Sequence, residues 1–320
     1  MPQVDLTPEE LTHYTGRNPR PEDFDAFWDD GVAQMQRQDA QLVLTPAGWQ
    51  VPGVECFELW FSGVGGARIH AKYLRPEGRS NCPVVLQFHG YSQSSGDWSS
   101  KLSWVQQGYA IAAMDVRGQG GLSEDIGGVY GTTLKGHIIR GIDAGRPERL
   151  FYRNVFLDAA QLARTVCQLD EVDSERIYTI GGSQGAALAL AASALEPDVA
   201  KRCAASYPFL CDYLRAWELD YCHKAYNEIV DYFRRFDPTH QRADTTFTKL
   251  GYIDVQHLAP RIKAEVIMAT GLQDDVCPPS CQFAIFNKIS SHKQSVLYPD
   301  FGHEPLPGWA DEVLRFINGA

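Results

Sequence analysis

One run in this 320-residue chain has the residue types and spacing for nucleophilic chemistry: Gly181-Gly182-Ser183-Gln184-Gly185. It follows the apolar run Ile177-Tyr178-Thr179-Ile180 and precedes an Ala/Leu stretch, the strand–turn–helix context that a G-x-S-x-G nucleophile elbow requires. A strand turning sharply into a helix strains the serine backbone and exposes its hydroxyl. Glycines two residues to either side let strand and helix approach. The helix N-terminus then offers backbone N–H groups where an oxyanion forms during acyl transfer. The pentapeptide alone also fits an idle glycine turn, and its flanks set it apart.

A serine nucleophile needs a base, and the base needs an orienting acid. In this arrangement the chain order is Ser, then Asp or Glu, then His. After Ser183, the apolar run Val266 to Ala269 ends in Gly271-Leu272-Gln273-Asp274-Asp275. The next one, Ser295 to Tyr298, ends in Pro299-Asp300-Phe301-Gly302-His303-Glu304. Carboxylate and imidazole both fall just past the C-terminal ends of strands, where an open α/β sheet has its ligand crevice. Asp274 is preferred to Asp275 because it comes first after the strand, whereas His223, His240, His257 and His292 lack a strand-end position after the acid. The second oxyanion donor is expected from the loop Phe88-His89-Gly90-Tyr91-Ser92, so the expected pair is the backbone N–H groups of Tyr91 and Gln184, with His89 bracing the loop. Tyr91 and Phe209, with residues of the segment 209–258, are expected to wall a small acyl pocket. Arg117-Gly118-Gln119-Gly120-Gly121 hints at a dinucleotide loop, but position 123 is Ser and no clean helix follows, which rejects nucleotide binding. Arg117 is expected instead to be a fixed fork tying loops near the elbow.

These residues require a scaffold, and the apolar pattern supplies one. Residues 1 to about 50 read as helical and polar, with an amphipathic start at Glu22 to Trp28. Cys56 to Phe61 and Ile69 to Leu74, joined by Gly63, Gly65 and Gly66, read as an antiparallel hairpin. Pro83 to Phe88, Tyr109 to Met114, Ile177 to Ile180, Val266 to Ala269 and Ser295 to Tyr298 are short apolar runs suited to strands buried on both faces. Between them lie helical patterns at Val155 to Leu169, Ala186 to Leu195, Ser280 to Ile289 and Trp309 to Ile317. The Ala186 to Leu195 pattern is apolar all round, which implies burial. Strands alternating with helices imply a mainly parallel twisted sheet with right-handed crossovers and an antiparallel N-terminal edge. Gly118 to Gly145 is irregular, and Phe209 to Leu258 is an excursion between two strands, the place for a lid or an interface. The expectation is a single domain over 1–320, with an extension at about 1–50 and an insertion at about 209–258.

Composition narrows the partners. Twenty-nine basic against forty acidic residues give a formal charge of −11, which repels duplex nucleic acid and anionic membranes. The first ten residues lack a positive start and an apolar run, so no signal peptide is expected. No stretch approaches the roughly 18 apolar residues that span a bilayer. The eight cysteines (56, 82, 167, 203, 211, 222, 277 and 281) form no C-x-x-C pair, and Cys277 with Cys281 makes at most half a metal site. Buried thiols in a reducing, cytoplasmic setting, with no metal and no cofactor, are the expectation.

Taken together, Arg117-Gly118-Gln119-Gly120, Gly181-Gly182-Ser183-Gln184-Gly185 and His303-Glu304 resemble the signature set of carbohydrate esterase family 7, the acetyl xylan esterases and cephalosporin C deacetylases. His89-Gly90-Tyr91, Arg140-Gly141-Ile142, Pro208-Phe209-Leu210-Cys211 and the stretch from Gly271-Leu272 through Cys277-Pro278-Pro279 extend the resemblance from about residue 20 to the C-terminus. It implies a metal-free α/β-hydrolase that releases acetate from small acetylated sugars and cephalosporin C. It also implies an intracellular homohexamer whose narrow entrances exclude polymeric xylan. Carried over by position, Ser183 is nucleophile, His303 base and Asp274 orienting acid, with Tyr91 and Gln184 as oxyanion donors. The chain departs from the pattern at Ser206, where many members have an acidic residue, and at Pro305-Leu306-Pro307. The competing enzyme reading keeps these three residues in a generic short-chain carboxylesterase or lactone hydrolase. A peptidase with this hydrolase domain carries a β-propeller, for which about 80 residues before Val84 do not suffice. A catalytically silent binding protein is the reading furthest from an intact Ser, Asp and His.

Overall fold

The computed structural model describes residues 4–126, 134–219 and 224–319. The apolar runs become strands β1 (Val43–Pro46), β2 (Val54–Ser62), β3 (Arg68–Pro76), β4 (Cys82–Phe88), β5 (Ala110–Met114), β6 (Val172–Gly182), β7 (Ala200–Ser206), β8 (Glu265–Gly271) and β9 (Lys293–Tyr298). They form one sheet in the order β1-β2-β3-β5-β4-β6-β7-β8-β9. Strands β1, β2, β3 and β5 pair antiparallel in sequence, and every pair from β5 through β4 to β9 is parallel. This is the mainly parallel sheet with an antiparallel N-terminal edge that the pattern predicts, and it agrees with the α/β-hydrolase fold that the family resemblance implies.

The helices are α1 (Pro8–His13), α2 (Phe24–Arg37), α3 (Leu102–Gln106), α4 (Phe151–Val166), α5 (Gln184–Leu195), α6 (Tyr213–Glu218), α7 (Asn227–Phe236), α8 (Ala243–Gly251), α9 (Pro279–Phe286) and α10 (Trp309–Asn318). Two cores flank the sheet. The larger buries α2, α4, α5 and α9 together with the described part of the excursion after β7. The smaller lies under α3 and α10, through Val105, Val313, Phe316 and Ile317. Every residue of α5 is buried, as its all-round apolar pattern requires. Among the described residues no helix is long and apolar enough to cross a membrane.

Two strands correct the sequence reading. Residues 43–46, assigned to a helical extension, are the edge strand β1, which β2 recruits by backbone pairing. Strand β7 was absent from the pattern, because its charged start Lys201-Arg202 and its alanines carry little strand propensity. Its place is dictated by burial between β6 and β8. Cys222 and His223 lie outside the described residues.

Segment 5–18 is laid across the excursion and α9. Asp212 accepts from the Tyr14 hydroxyl at 2.7 Å and from the backbone N–H groups of Arg17 at 3.0 Å and Asn18 at 2.8 Å. The Asp212 N–H donates to buried Asp254 at 3.0 Å. Burial and the nearby Asp212 charge push the Asp254 carboxyl up to about 7. Asp5 accepts from the Ser280 N–H at 2.7 Å and pairs with Arg215 at 2.7 Å, and the Asn287 amide donates to the Leu11 and Tyr14 carbonyls.

Candidate active site

Ser183 sits between β6 and α5 with φ 56° and ψ −122°, a sparsely populated conformation that costs on the order of 1–3 kcal/mol. Neighbouring backbone holds it there. Its N–H donates to the Ser206 carbonyl at 3.0 Å, and its own carbonyl accepts from the N–H groups of Phe209 at 3.1 Å and Ala187 at 3.2 Å. Close approach explains the flanking glycines: a Cβ at 181 would lie 2.2 Å from the Gly185 carbonyl carbon, and one at 185 would lie 2.0 Å from the Phe88 oxygen. The serine side chain makes no capping bond to α5, which leaves the hydroxyl for other partners.

His303 and Asp274 come together from the loops after β9 and β8. Asp274 Oδ2 lies 2.9 Å from His303 Nδ1. The Asp274 side chain is fully buried and its oxygens are fully used: the Val276 and Cys277 N–H groups donate to Oδ1 at 2.9 and 2.8 Å, and the Gln282 amide donates to Oδ2 at 3.3 Å. A carboxylate so fixed holds the imidazole with its proton on Nδ1, leaving Nε2 as an acceptor. Asp275, the alternative acid, faces away and pairs with Lys224 at 2.9 Å. The imidazole, 19% exposed, packs against the Tyr207 ring at 4.5 Å.

Ser183, His303, Tyr207, Gln93, Lys101 and Pro305 are among the residues lining one cavity of about 430 Å³. Lys101 is buried in its wall and donates to the carbonyls of Ser95 and Asp97. Burial and the Lys72 charge bring its ammonium down to about 8.

Gln184 is the first residue of α5, where a backbone N–H has no carbonyl one turn earlier to bond. Its side chain forms a reciprocal pair with Gln119. Gln119 Nε2 donates to Gln184 Oε1 at 2.8 Å and Gln184 Nε2 donates back to Gln119 Oε1 at 3.0 Å. Gln119 Oε1 also accepts from the Ser92 N–H at 2.9 Å, and Gln184 Oε1 from the Tyr152 hydroxyl at 2.8 Å. The two loops that carry Tyr91 and Gln184 are therefore cross-braced through buried amides. Gly118 takes a left-handed φ of 62°, and Gly120 lets its loop meet the Ser92 and Gln93 carbonyls, with its N–H donating to the latter at 3.0 Å. His89 Nδ1 donates to the Gly90 carbonyl at 2.7 Å, and Nε2 accepts from the Val116 N–H at 2.9 Å, a bracing role with both nitrogens spent.

Three expectations need correction. Arg117 does not reach the elbow; it is buried against Asp158 of α4 in a two-bond fork and donates to the Val64 carbonyl at 3.0 Å. Gln119 makes the link to the elbow. Phe209 lines no part of the Ser183 cavity: left-handed φ at Tyr207 and Leu210 turns the chain, and the ring is fully buried between Tyr91 and Tyr226. The Tyr91 side chain faces an adjacent cavity of about 720 Å³ shared with Ile139, Tyr232 and Val276. There its hydroxyl donates to Glu228 at 2.6 Å, and Glu228 also accepts from the Ile138 N–H. Tyr207, just past the end of β7, stands in the sequence only as the neighbour of the Ser206 departure, because the strand that brings its ring to His303 carries little strand signal.

Against known proteins, residues 1–319 match the family model described as acetyl xylan esterase (AXE1). The crystal structure of acetyl xylan esterase 1 from Thermoanaerobacterium sp. is similar at 50% identity and a TM-score of 0.94, covering 98% of each chain. An acetyl xylan esterase from Paenibacillus sp. R4 is similar at 34% identity and a TM-score of 0.92, over 98% of this chain and 99% of that one. An acetyl esterase of Xylanibacter ruminicola is 25% identical over 306 residues, and the match spans 93% of this chain but 66% of that longer protein.

Proposed function

Because the chain belongs to the acetyl xylan esterase family, we propose that it is a serine carboxylesterase removing acetyl groups from small acetylated sugars, xylo-oligosaccharides among them, and from cephalosporin C. One observation carries the reading: a buried carboxylate 2.9 Å from an imidazole that opens onto the same cavity as the strained serine.

In this mechanism Ser183 Oγ attacks the acetyl carbonyl carbon while His303 Nε2 takes its proton. The carbonyl π pair moves onto oxygen, and the oxyanion accepts from the backbone N–H groups of Tyr91 and Gln184. Each such donor is worth about 2.7–4 kcal/mol of transition-state stabilisation. His303 then protonates the departing sugar oxygen as the carbon–oxygen bond breaks, leaving acetyl-Ser183. Water repeats the cycle with His303 as base, releasing acetate. Asp274 holds the ring and stabilises its charged form. The resemblance further supports an intracellular homohexamer, which light scattering tests: six times the monomer mass is expected, and monomer mass rejects it.

The test of function is acetate release from acetylated xylo-oligosaccharides and cephalosporin C, beside butyryl and longer-chain esters, with Ser183→Ala as control. Acetate release that falls by at least about 10⁴-fold in the variant is expected. Serine-dependent cleavage of long esters with little acetate release rejects the acetyl preference and keeps the nucleophile.

A further inference from the structure

The Ser183 cavity shares part of its lining with a neighbour. Gln87, Phe88, Ser100, Gly182 and Tyr207 line both it and a second cavity of about 490 Å³, a volume within the roughly 300–1,000 Å³ of small-molecule sites. This second space is a groove between α3 and α10 over the sheet's C-terminal ends. Its walls include two half-buried tryptophans, Trp104 on α3 and Trp309 at the start of α10, over a floor of Ile180 and Ala204. Its rim is polar, with Ser103, Gln107 and Asp311.

The shared lining is tight at Gly182. A Cβ at Gly182 would lie 3.0 Å from Ser206 Oγ and 3.3 Å from the Tyr207 ring, so any side chain there crowds the residues that line both cavities. Gln87 Oε1, in the same lining, is buried and has no hydrogen-bond partner among the described residues.

Resting on the acetyl-sugar reading above, we propose that the groove is a glycone subsite. It binds pyranose rings of the oligosaccharide beyond the acetylated residue, with Trp104 and Trp309 as aromatic walls and Ser103, Gln107 and Asp311 at the rim to meet the sugar hydroxyls. Aromatic faces bordered by amide, hydroxyl and carboxylate groups suit a molecule with apolar C–H faces and hydroxyl edges. A long acyl chain would gain nothing from such a rim and would strand its polar groups. The groove thus sets preference on the alcohol side of the ester, while the acyl side stays with acetate.

The experiment compares wild type with Trp309→Ala and Trp104→Ala on acetylated xylotriose, 4-nitrophenyl acetate and 4-nitrophenyl octanoate. Quenching of tryptophan fluorescence by unacetylated xylotriose is read in Ser183→Ala and in that variant carrying each tryptophan change. The expected result is a kcat/KM ratio, acetylated xylotriose over 4-nitrophenyl acetate, lower by at least tenfold in each tryptophan variant, with xylotriose binding weakened in parallel. An unchanged ratio overturns the subsite. So does a selective loss on the octanoate, which makes the groove an acyl site, or a change of oligomeric mass with the ratio intact, which makes it an interface between copies. Thermal melting of each variant separates these outcomes from misfolding. A wild type that releases no acetate from acetylated xylotriose rejects the sugar reading itself, a failure visible before any variant is made.

Discussion

Among the described residues, two Asp–His pairs are nearly alike in first-neighbour geometry. Asp274 lies 2.9 Å from His303 Nδ1, and Asp115 lies 2.7 Å from His70 Nδ1. Each Asp follows the C-terminal end of a strand, β8 in one case and β5 in the other, and each accepts two backbone N–H bonds, Asp115 from Ser95 and Leu122. The difference lies at the other ring nitrogen. His303 Nε2 belongs to a partly exposed ring on the wall of the Ser183 cavity. His70 is fully buried within β3, and its Nε2 meets Glu58 of β2 at 2.5 Å. A ring whose two nitrogens both face carboxylates has no lone pair to offer a substrate. The carboxylate–imidazole couple alone is therefore not a catalytic signature; what sets His303 apart is that its ring opens onto the cavity of the strained Ser183.

Substitutions on the two pairs should separate chemistry from stability. The largest effect is expected for His303→Ala, about 10⁶-fold in kcat on 4-nitrophenyl acetate with little change in the urea midpoint. Asp274→Asn should follow at about 10⁴-fold, because the imidazole loses the acceptor that fixes its tautomer. His70→Ala should reverse the pattern. It leaves Asp115 buried and Glu58 half-buried without their partner, so the unfolding free energy should fall by about 3–5 kcal/mol while kcat of the folded fraction stays within a few-fold. A large loss of kcat at unchanged stability would give His70 a role that its geometry denies.

The buried pair should also leave its mark on the pH dependence of stability. Burial works to raise the Asp115 pKa, but the His70 hydrogen bond, the Leu122 and Ser95 N–H groups and the His70 charge outweigh it and hold the carboxyl well below the usual range. A depressed pKa contributes stability that is full above the unfolded value, about 3.9, and is lost as pH falls below it. Wild type should therefore show an acid-side decline in urea midpoint beginning near pH 4, and Asp115→Asn should flatten that limb. Glu58→Gln is the mildest probe. The amide oxygen still accepts from His70 at a half-exposed site, so a loss of about 1 kcal/mol or less is expected, with no change in kcat.

The sequence made the candidate catalytic residues more legible than their surroundings, for physical reasons. Ser183, Asp274 and His303 sit at ends of strands whose apolar runs are plain, and strand ends alternate predictably with helices. His70, by contrast, lies inside a strand, and nothing in its spacing announces Glu58 and Asp115. Strand β7 escaped because alanines and a Lys-Arg start carry little β signal. The Phe209 direction escaped with it. Three non-glycine residues at left-handed φ, Tyr207, Leu210 and Asp212, bend that loop in ways that spacing does not encode. The Arg117–Asp158 pair joins residues 41 apart in sequence, a long-range partnership no local pattern carries.

The clamp between segment 5–18 and residues 212–287 bears on how the chain reaches this state. The Ser280-to-Asp5 and Asn287-to-Leu11 bonds span 275 and 276 positions. On a ribosome adding about 5–20 residues per second, segment 5–18 waits tens of seconds before its docking surface exists. The sheet strands β4 to β7 are complete before then, so the segment that emerges early is fastened late. Its removal should spare the early collapse and slow the final annealing step, when α9 and the excursion after β7 are locked together.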